Sequence, residues 1–224
     1  MLKAAIFDMD GTLLDTERLA IASWEQAAER LGCPDVLTRA FVTSFTGRPL
    51  PDILAELAGA LGSNEAGRRA YDLHQEVREE LCRTDLRLKP GALEALDGLS
   101  ERGVHLGLAT STARPLATAH LGQAGILDRF ETMTFGDEVE HGKPAPDIFL
   151  LAARRAGAAP RECIVVEDSL NGARAGIAAG IPTYVVPDLI QPTDDVRAGA
   201  AAVLGSLAEL VPALEAAGEL PFAR

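Results

Sequence analysis

Residues 8–104 separate the first buried-strand pattern of this chain, Ala4 to Phe7, from the second, His105 to Ala109. Neighbouring parallel strands need one crossover of about a dozen residues or somewhat more, so a gap of this size calls for an insertion. The later apolar runs, Met133 to Phe135, Ile164 to Val166 and Thr183 to Val186, are spaced for single crossover helices. Short apolar strands alternating with helical patterns predict an α/β fold built on a buried parallel sheet. A further short strand is expected at Ala201 to Leu204, leading into a helix around Ala208 to Ala216. Leu93, Leu96 and Leu99 are expected on one buried helix face ending at Gly103, and Leu116, Ala119 and His120 on another ending at Gly125.

The inserted stretch is helical in pattern. Ala20 or Ile21, Trp24, Ala27 or Ala28, and Leu31 form an apolar stripe that stops at Gly32; Ile53, Leu54, Leu57 and Leu61 form another that stops at Gly62. Tyr71, Val77 and Leu81 continue the pattern, and Trp24 reads as core packing. The expected division is a core of residues 1–14 and 88–224 and a helical domain of residues 15–87. The chain would cross between them near Leu14 to Glu17 and Arg83 to Lys89, a two-stranded connection that can act as a hinge.

Charge and composition exclude several partners. The sequence is 47% hydrophobic and 24% charged, enough apolar side chain for a packed core and unlike a disordered chain. Acidic residues outnumber basic ones 33 to 21, and the net charge of −12 with no Lys/Arg-rich run argues against nucleic acid as a partner. No apolar run reaches the length of a membrane helix, and Lys3 to Phe7 reads as a core strand rather than a leader segment, so a soluble cytoplasmic protein is expected; a monomer is expected because a helical insert can cover the site without a second subunit. Cys33, Cys82 and Cys163 form no Cys-x-x-Cys pair, as in a reducing compartment, and Cys163 is expected to be buried in a strand. The four histidines lack zinc-ligand spacing.

Four loops carry candidate chemistry. Asp8-Met9-Asp10-Gly11-Thr12 follows the first strand, at the carboxyl edge where open α/β sheets bind ligands. Two carboxylates two residues apart can supply a nucleophile and a proton carrier; the alternative is a solvated turn. Thr110, with Ser111 and Thr112 after it, offers hydroxyls and backbone N–H groups to phosphate oxygens, or else caps the helix before Pro115. Lys143 sits in a loop stiffened by Pro144 and Pro146, where an ammonium can offset phosphate charge, or else points to water. Glu167-Asp168 ends an apolar run, a place for a carboxylate pair if a cation is bound there; the alternative is that Asp168 caps the next helix. Arg114 faces either phosphate or solvent, and His141 either substrate or loop.

Taken in order, Asp8-x-Asp10-Gly11-Thr12, the strand-end Thr110, Lys143-Pro144-x-Pro146-Asp147 and Glu167-Asp168-Ser169-x-x-Gly172 resemble the four motifs of the haloacid dehalogenase superfamily, over Ile6 to about Pro187. Within it the likeness is to β-phosphoglucomutase-like and pseudouridine-5'-phosphatase-like enzymes. The resemblance implies a Rossmann-like doubly wound parallel sheet with an inserted α-helical cap of the first type. It also implies a Mg²⁺-dependent phosphatase that hydrolyses a small phosphorylated metabolite, a sugar phosphate or nucleotide-like ester, through an aspartyl-phosphate. Asp8 would attack phosphorus, Asp10 would carry protons, and Thr110 and Lys143 would hold the phosphoryl group. Mg²⁺ would be held by the Asp8 side chain, the Asp10 carbonyl and Asp168, with Glu167 assisting directly or through water.

The cap of such enzymes supplies leaving-group contacts, which points to Thr16 and to Arg48 in Thr46-Gly47-Arg48, beside Ser111 and Thr112 of the core, as substrate-binding residues; the other reading of Arg48 is a solvated loop. A phosphosugar mutase is the alternative activity. By ungapped alignment, however, the histidine that restrains the proton carrier in β-phosphoglucomutases falls on Ala20 and their phosphate-holding arginine on Leu50. A dehalogenase would leave Asp10, Glu167 and Asp168 without a task. A non-catalytic protein that binds a phosphate ester is the remaining class.

Overall fold

The computed structural model describes residues 1–46, 48 and 50–220, and the chain divides into two units, Met1–Asp15 with Arg87–Arg224, and Thr16–Leu86. Its elements in order are β1 (Ala4–Phe7), α1 (Thr16–Leu31), α2 (Arg39–Thr43), α3 (Leu50–Leu61), α4 (Asn64–Asp85), α5 (Ala92–Ser100), β2 (His105–Thr110) and α6 (Arg114–Gln123). There follow β3 (Thr132–Phe135), α7 (Asp147–Arg155), β4 (Cys163–Glu167), α8 (Leu170–Ala178), β5 (Thr183–Val185), α9 (Asp194–Gly199), β6 (Ala202–Val203) and α10 (Leu210–Ala216). Among the described residues no helix is long and apolar enough to cross a membrane.

The first unit is built on one six-stranded sheet in the order β3-β2-β1-β4-β5-β6, with every pair parallel. β1 pairs with β2 on one side (Phe7 opposite Leu108) and with β4 on the other (Phe7 opposite Val166). Strand order reverses at β1, so the loops after β1, β2 and β4 open on the same edge of the sheet, the arrangement that creates a crevice in folds of this type. Alternation along the strand sends Ala4 and Ile6 to one face, where they meet Ile148, Phe149 and Ala152 of α7 and Ala175 of α8, together with Cys163 and Val165 of β4. Cys163 is buried in its strand, as expected.

Two helix faces differ from expectation. On α5 the buried residues are Ala92, Ala95, Leu96 and Leu99, while Leu93 is 41% exposed. On α6 they are Ala117, His120 and Leu121; Leu116 is 42% exposed and Ala119 is exposed too. Successive helix positions turn by about 100°, and in both cases alanine rather than the first leucine faces the core. α9 was not anticipated from the apolar pattern, since Val196 is its only buried residue.

Two lengths of backbone meet where the first unit gives way to the second. Asp15 N donates to Arg87 O at 2.9 Å, Lys89 N donates to Leu13 O at 2.8 Å, and Leu14 and Leu88 form an antiparallel bridge. Lys89 also pairs with Asp188, in the loop after β5, at 2.9 Å.

The second unit is all helical and has its own core: Ile21, Trp24 and Ala28 of α1, Leu37, Val42, Phe45, Leu57 and Ala70. The Trp24 indole stacks on His74 with centroids 4.0 Å apart and planes 5° from parallel. Ser23 Oγ donates to Ala20 O at 2.8 Å and lies 2.7 Å from His74 Nδ1. With the one hydroxyl proton so placed, the imidazole must donate through Nδ1. Burial, with Arg78 nearby, pushes His74 down to about 3, so the ring is neutral at physiological pH. A cleft of about 180 Å³ in this unit is lined by Glu17, Trp24, Phe45, Tyr71, His74 and Arg78, among others.

Candidate active site

Asp8 follows β1 directly, its amide bonded to Val166 O at 3.0 Å, so its position is set by the sheet register. After it the chain turns through Gly11, with Gly11 N on Leu14 O at 2.9 Å. Gly11 has φ of 81°, a left-handed conformation that disfavours side chains. A Cβ there would come within 2.4 Å of Asp168 Oδ2, so the glycine serves both the turn and the carboxylate beside it.

Glu167 ends β4 and Asp168 follows it; both are buried. Carboxylate oxygens of Asp8, Glu167 and Asp168 all lie within 4.8 Å of one another. Lys143 enters this cluster from its proline-flanked loop. Its Nζ donates to Asp8 Oδ1 at 2.5 Å, to Glu167 Oε1 at 2.8 Å and to Ala109 O at 3.2 Å. The lysine side chain is 6% exposed, so it does not point to water. Glu167 is further fixed by Ser169 N on Oε2 at 2.7 Å, and a Cβ on Gly172 would sit 1.5 Å from Oε1, which explains a glycine at that position.

The electrostatics of the cluster follow from burial. Desolvation pushes the Asp8 carboxyl above its usual range against the pull of Lys143, with Glu167 and Asp10 adding repulsion. Burial also disfavours the Lys143 ammonium, but Asp8 and Glu167 outweigh it and hold the lysine above its usual range. The two groups titrate as a unit. Three clustered carboxylates face one ammonium, and an all-oxygen donor set with surplus negative charge suits a hard divalent cation such as Mg²⁺.

Hydroxyls position Asp168 of this cluster and one further carboxylate, Asp10. Thr12 Oγ1, almost fully buried, donates to Asp168 Oδ1 at 2.7 Å. Asp168 is not the helix cap: Ser169 caps α8, its hydroxyl accepting from Gly172 N at 3.0 Å. Thr112 Oγ1 donates to Asp10 Oδ2 at 2.7 Å. Thr110 is likewise not a helix cap. It is buried at the end of β2, its Oγ1 accepts from Thr112 N at 3.0 Å, and α6 begins after Ala113 without a side-chain cap.

The structure therefore brings Asp8, Asp10, Thr110, Thr112, Lys143, Glu167 and Asp168 to one edge of the sheet. Ser111 is exposed on the same loop. Thr16 opens α1 and Arg48 precedes α3, so both belong to the helical unit, where Arg48 is ion-paired with Glu56; Gly47, between Thr46 and Arg48, lies outside the described residues. Arg114 is an exposed residue whose guanidinium lies 4.3 Å from the Phe135 ring centroid and bonds Glu138 at 2.6 Å. His141 is an exposed loop residue, with Nδ1 3.2 Å from Asp147 Oδ1. Sequence reasoning missed the roles of Thr12, Gly11 and Gly172 as neighbours that hold or accommodate carboxylates. Their signal was adjacency to Asp10 and Glu167-Asp168 within the same short motifs.

Several known proteins are similar to this chain. A phosphorylated carbohydrates phosphatase of Thermotoga maritima is 35% identical over 80% of this chain and 82% of its own length. A probable pseudouridine-5'-phosphatase of Drosophila melanogaster is 35% identical over 92% of this chain and 90% of its own. The crystal structure of a HAD family hydrolase from Deinococcus radiodurans R1, with bound phosphate and sodium, superposes with a TM-score of 0.82 and 31% identity over 99% of each chain. The family model for haloacid dehalogenase-like hydrolases matches residues 2–180. On its sheet, its four loops and these matches, the chain belongs to the haloacid dehalogenase-like hydrolases.

Proposed function

We propose that the protein is a phosphatase that hydrolyses the monoester of a small phosphorylated metabolite, a sugar phosphate or nucleotide-like compound, with Asp8 as nucleophile. The observation that carries this reading is the buried cluster of Asp8, Glu167 and Asp168 with Lys143 bridging Asp8 and Glu167. An Asp8 oxygen attacks phosphorus as the bond to the leaving oxygen breaks, and Asp10 supplies the proton that oxygen needs. Asp10 then takes a proton from the water that attacks the aspartyl-phosphate, and inorganic phosphate departs. Thr110 and Lys143 hold the transferred phosphoryl group, and Lys143 balances negative charge as it builds. Mg²⁺ held by Asp8, Asp168 and the Asp10 carbonyl, with Glu167 in support, would supply positive charge that lets an anionic ester approach a carboxylate.

The helical unit, residues 15–87 in the division expected from sequence, acts as the cap that selects the leaving group. Thr16, Arg48 and the residues lining its cleft are the groups to vary. Inorganic phosphate release from a panel of sugar phosphates, nucleotides, phosphoglycolate and pseudouridine 5'-phosphate, with and without chelator, tests the reading. Turnover that needs Mg²⁺, needs no added sugar bisphosphate and vanishes in Asp8→Asn is expected. A phosphate-sized mass increase on the peptide containing Asp8, trapped by acid quench, would identify the nucleophile. Full activity in an Asp8→Asn protein that does not deamidate would overturn it, and interconversion of β-glucose 1-phosphate and 6-phosphate would make the protein a mutase.

A further inference from the structure

We infer that Thr112 is a positioning residue for the proton carrier Asp10, and not a substrate contact. The inference rests on the phosphatase reading above and adds to it a residue whose side chain acts through another.

The geometry starts with the bond itself. Thr112 Oγ1 donates to Asp10 Oδ2 at 2.7 Å, joining the loop after β2 to the loop after β1. A hydroxyl bound to one carboxylate oxygen fixes the plane in which the other presents its proton. Thr112 is well placed to do this because its own loop is braced at several points. Its amide donates to Thr110 Oγ1 at 3.0 Å, and its carbonyl accepts from Gly136 N at 3.4 Å. Two residues on, Arg114 lies over the Phe135 ring and bonds Glu138. Glu138 in turn accepts from Phe135 N at 3.0 Å and from Arg155 at 2.6 Å. The segment that offers the hydroxyl is thus tied to the end of β3 and to α7, and the carboxylate it holds inherits that rigidity.

Proton transfer needs heavy atoms within hydrogen-bond reach of each other, and a misplacement of about 1 Å costs roughly 100-fold in rate. The need for that proton depends on the leaving group. A sugar alkoxide departs only if protonated, whereas p-nitrophenolate is stable as an anion. Loss of the Thr112 hydroxyl should therefore discriminate between the two esters, while loss of a substrate contact should not do so in this direction.

The test compares kcat/KM, which reports steps up to phosphoryl transfer, for a sugar phosphate turned over by the wild type and for p-nitrophenyl phosphate. The proteins compared are wild type, Thr112→Val and Thr112→Ser, all with saturating Mg²⁺. Thr112→Val, equal in shape and without a donor, is expected to lower kcat/KM about 30-fold for the sugar phosphate and less than about 3-fold for the nitrophenyl ester, with kcat carrying the loss. Thr112→Ser, which keeps the donor, should stay within about 3-fold of wild type on both. Equal losses on the two esters, a loss confined to KM, or failure of serine to restore activity would each overturn the inference. If Asp8→Asn keeps its activity, the phosphatase reading falls first. If Asp8→Asn is inactive and Thr112→Val does not discriminate, only the role of Thr112 falls.

Discussion

Thr12 and Asp168, 156 residues apart in sequence, are joined by a buried 2.7 Å hydrogen bond in which the threonine donates. The loop of the first strand thereby sets the orientation of a carboxylate on the fourth. Groups that orient a metal ligand without touching the metal usually change its affinity about 10- to 100-fold when removed. Thr12→Val should raise the Mg²⁺ concentration for half-maximal activity by that factor, with kcat nearly unchanged at saturation. Calorimetric Mg²⁺ titration gives a second readout, and an unaltered midpoint in both would show that the Thr12 hydroxyl does not tune metal binding.

Lys143 bridges Asp8 and Glu167 and offsets the repulsion between their carboxylates. Its side chain is 6% exposed and theirs are 8% and 1% exposed, so both ion pairs are shielded from solvent. Removing one partner of a buried pair destabilises a protein by about 3–5 kcal/mol, because the other charge is left uncompensated. Lys143→Met should lose at least about 1000-fold in kcat and melt at lower temperature in chelator. Added Mg²⁺ should recover more of the melting temperature in the variant than in wild type. Equal Mg²⁺ effects on the two proteins would contradict the charge argument.

Gly172 lies in the first turn of α8, five residues after Glu167, and a methyl group there would occupy the carboxylate's place. Glu167 has little freedom to yield, since Lys143 and Ser169 N hold its two oxygens. Gly172→Ala should therefore displace Glu167 and lower kcat at least about 10-fold, although alanine favours helix by about 1 kcal/mol at an unhindered site. Steady-state kinetics alongside a thermal melt will separate loss of the site from loss of the fold.

His74 makes a prediction for acid stability. Its folded pKa is lowered to about 3 from 6.5 by burial and Arg78, so the unfolded chain binds the proton first as pH falls. Stability should drop progressively from about pH 6.5 towards pH 3, and by a few kcal/mol in all for this one group. Denaturant midpoints of wild type and His74→Asn across that range should converge at low pH. A constant difference between them would show that the imidazole is not buried neutral.

Sequence alone revealed the sheet because its strands centre on short apolar runs, and β1 and β4 are buried along their whole length. It revealed the site because the acids follow those runs immediately. Helix faces were less legible. Ala92 and Ala95 face the core of α5 in place of Leu93, and alanine carries too little apolar signal to set the register of a short helix. Thr112 was read as a ligand for substrate, since a hydroxyl near a strand end is equally suited to a phosphate oxygen or a neighbouring carboxylate. The fold sets the loops of β1 and β2 side by side, a proximity that the sequence does not display and that brings the hydroxyl onto Asp10.

The short backbone ladder that joins Leu13, Leu14 and Asp15 to Arg87, Leu88 and Lys89 works as a drawstring. Whatever is threaded between its two sides, the sheet is closed at the same point and keeps its alignment.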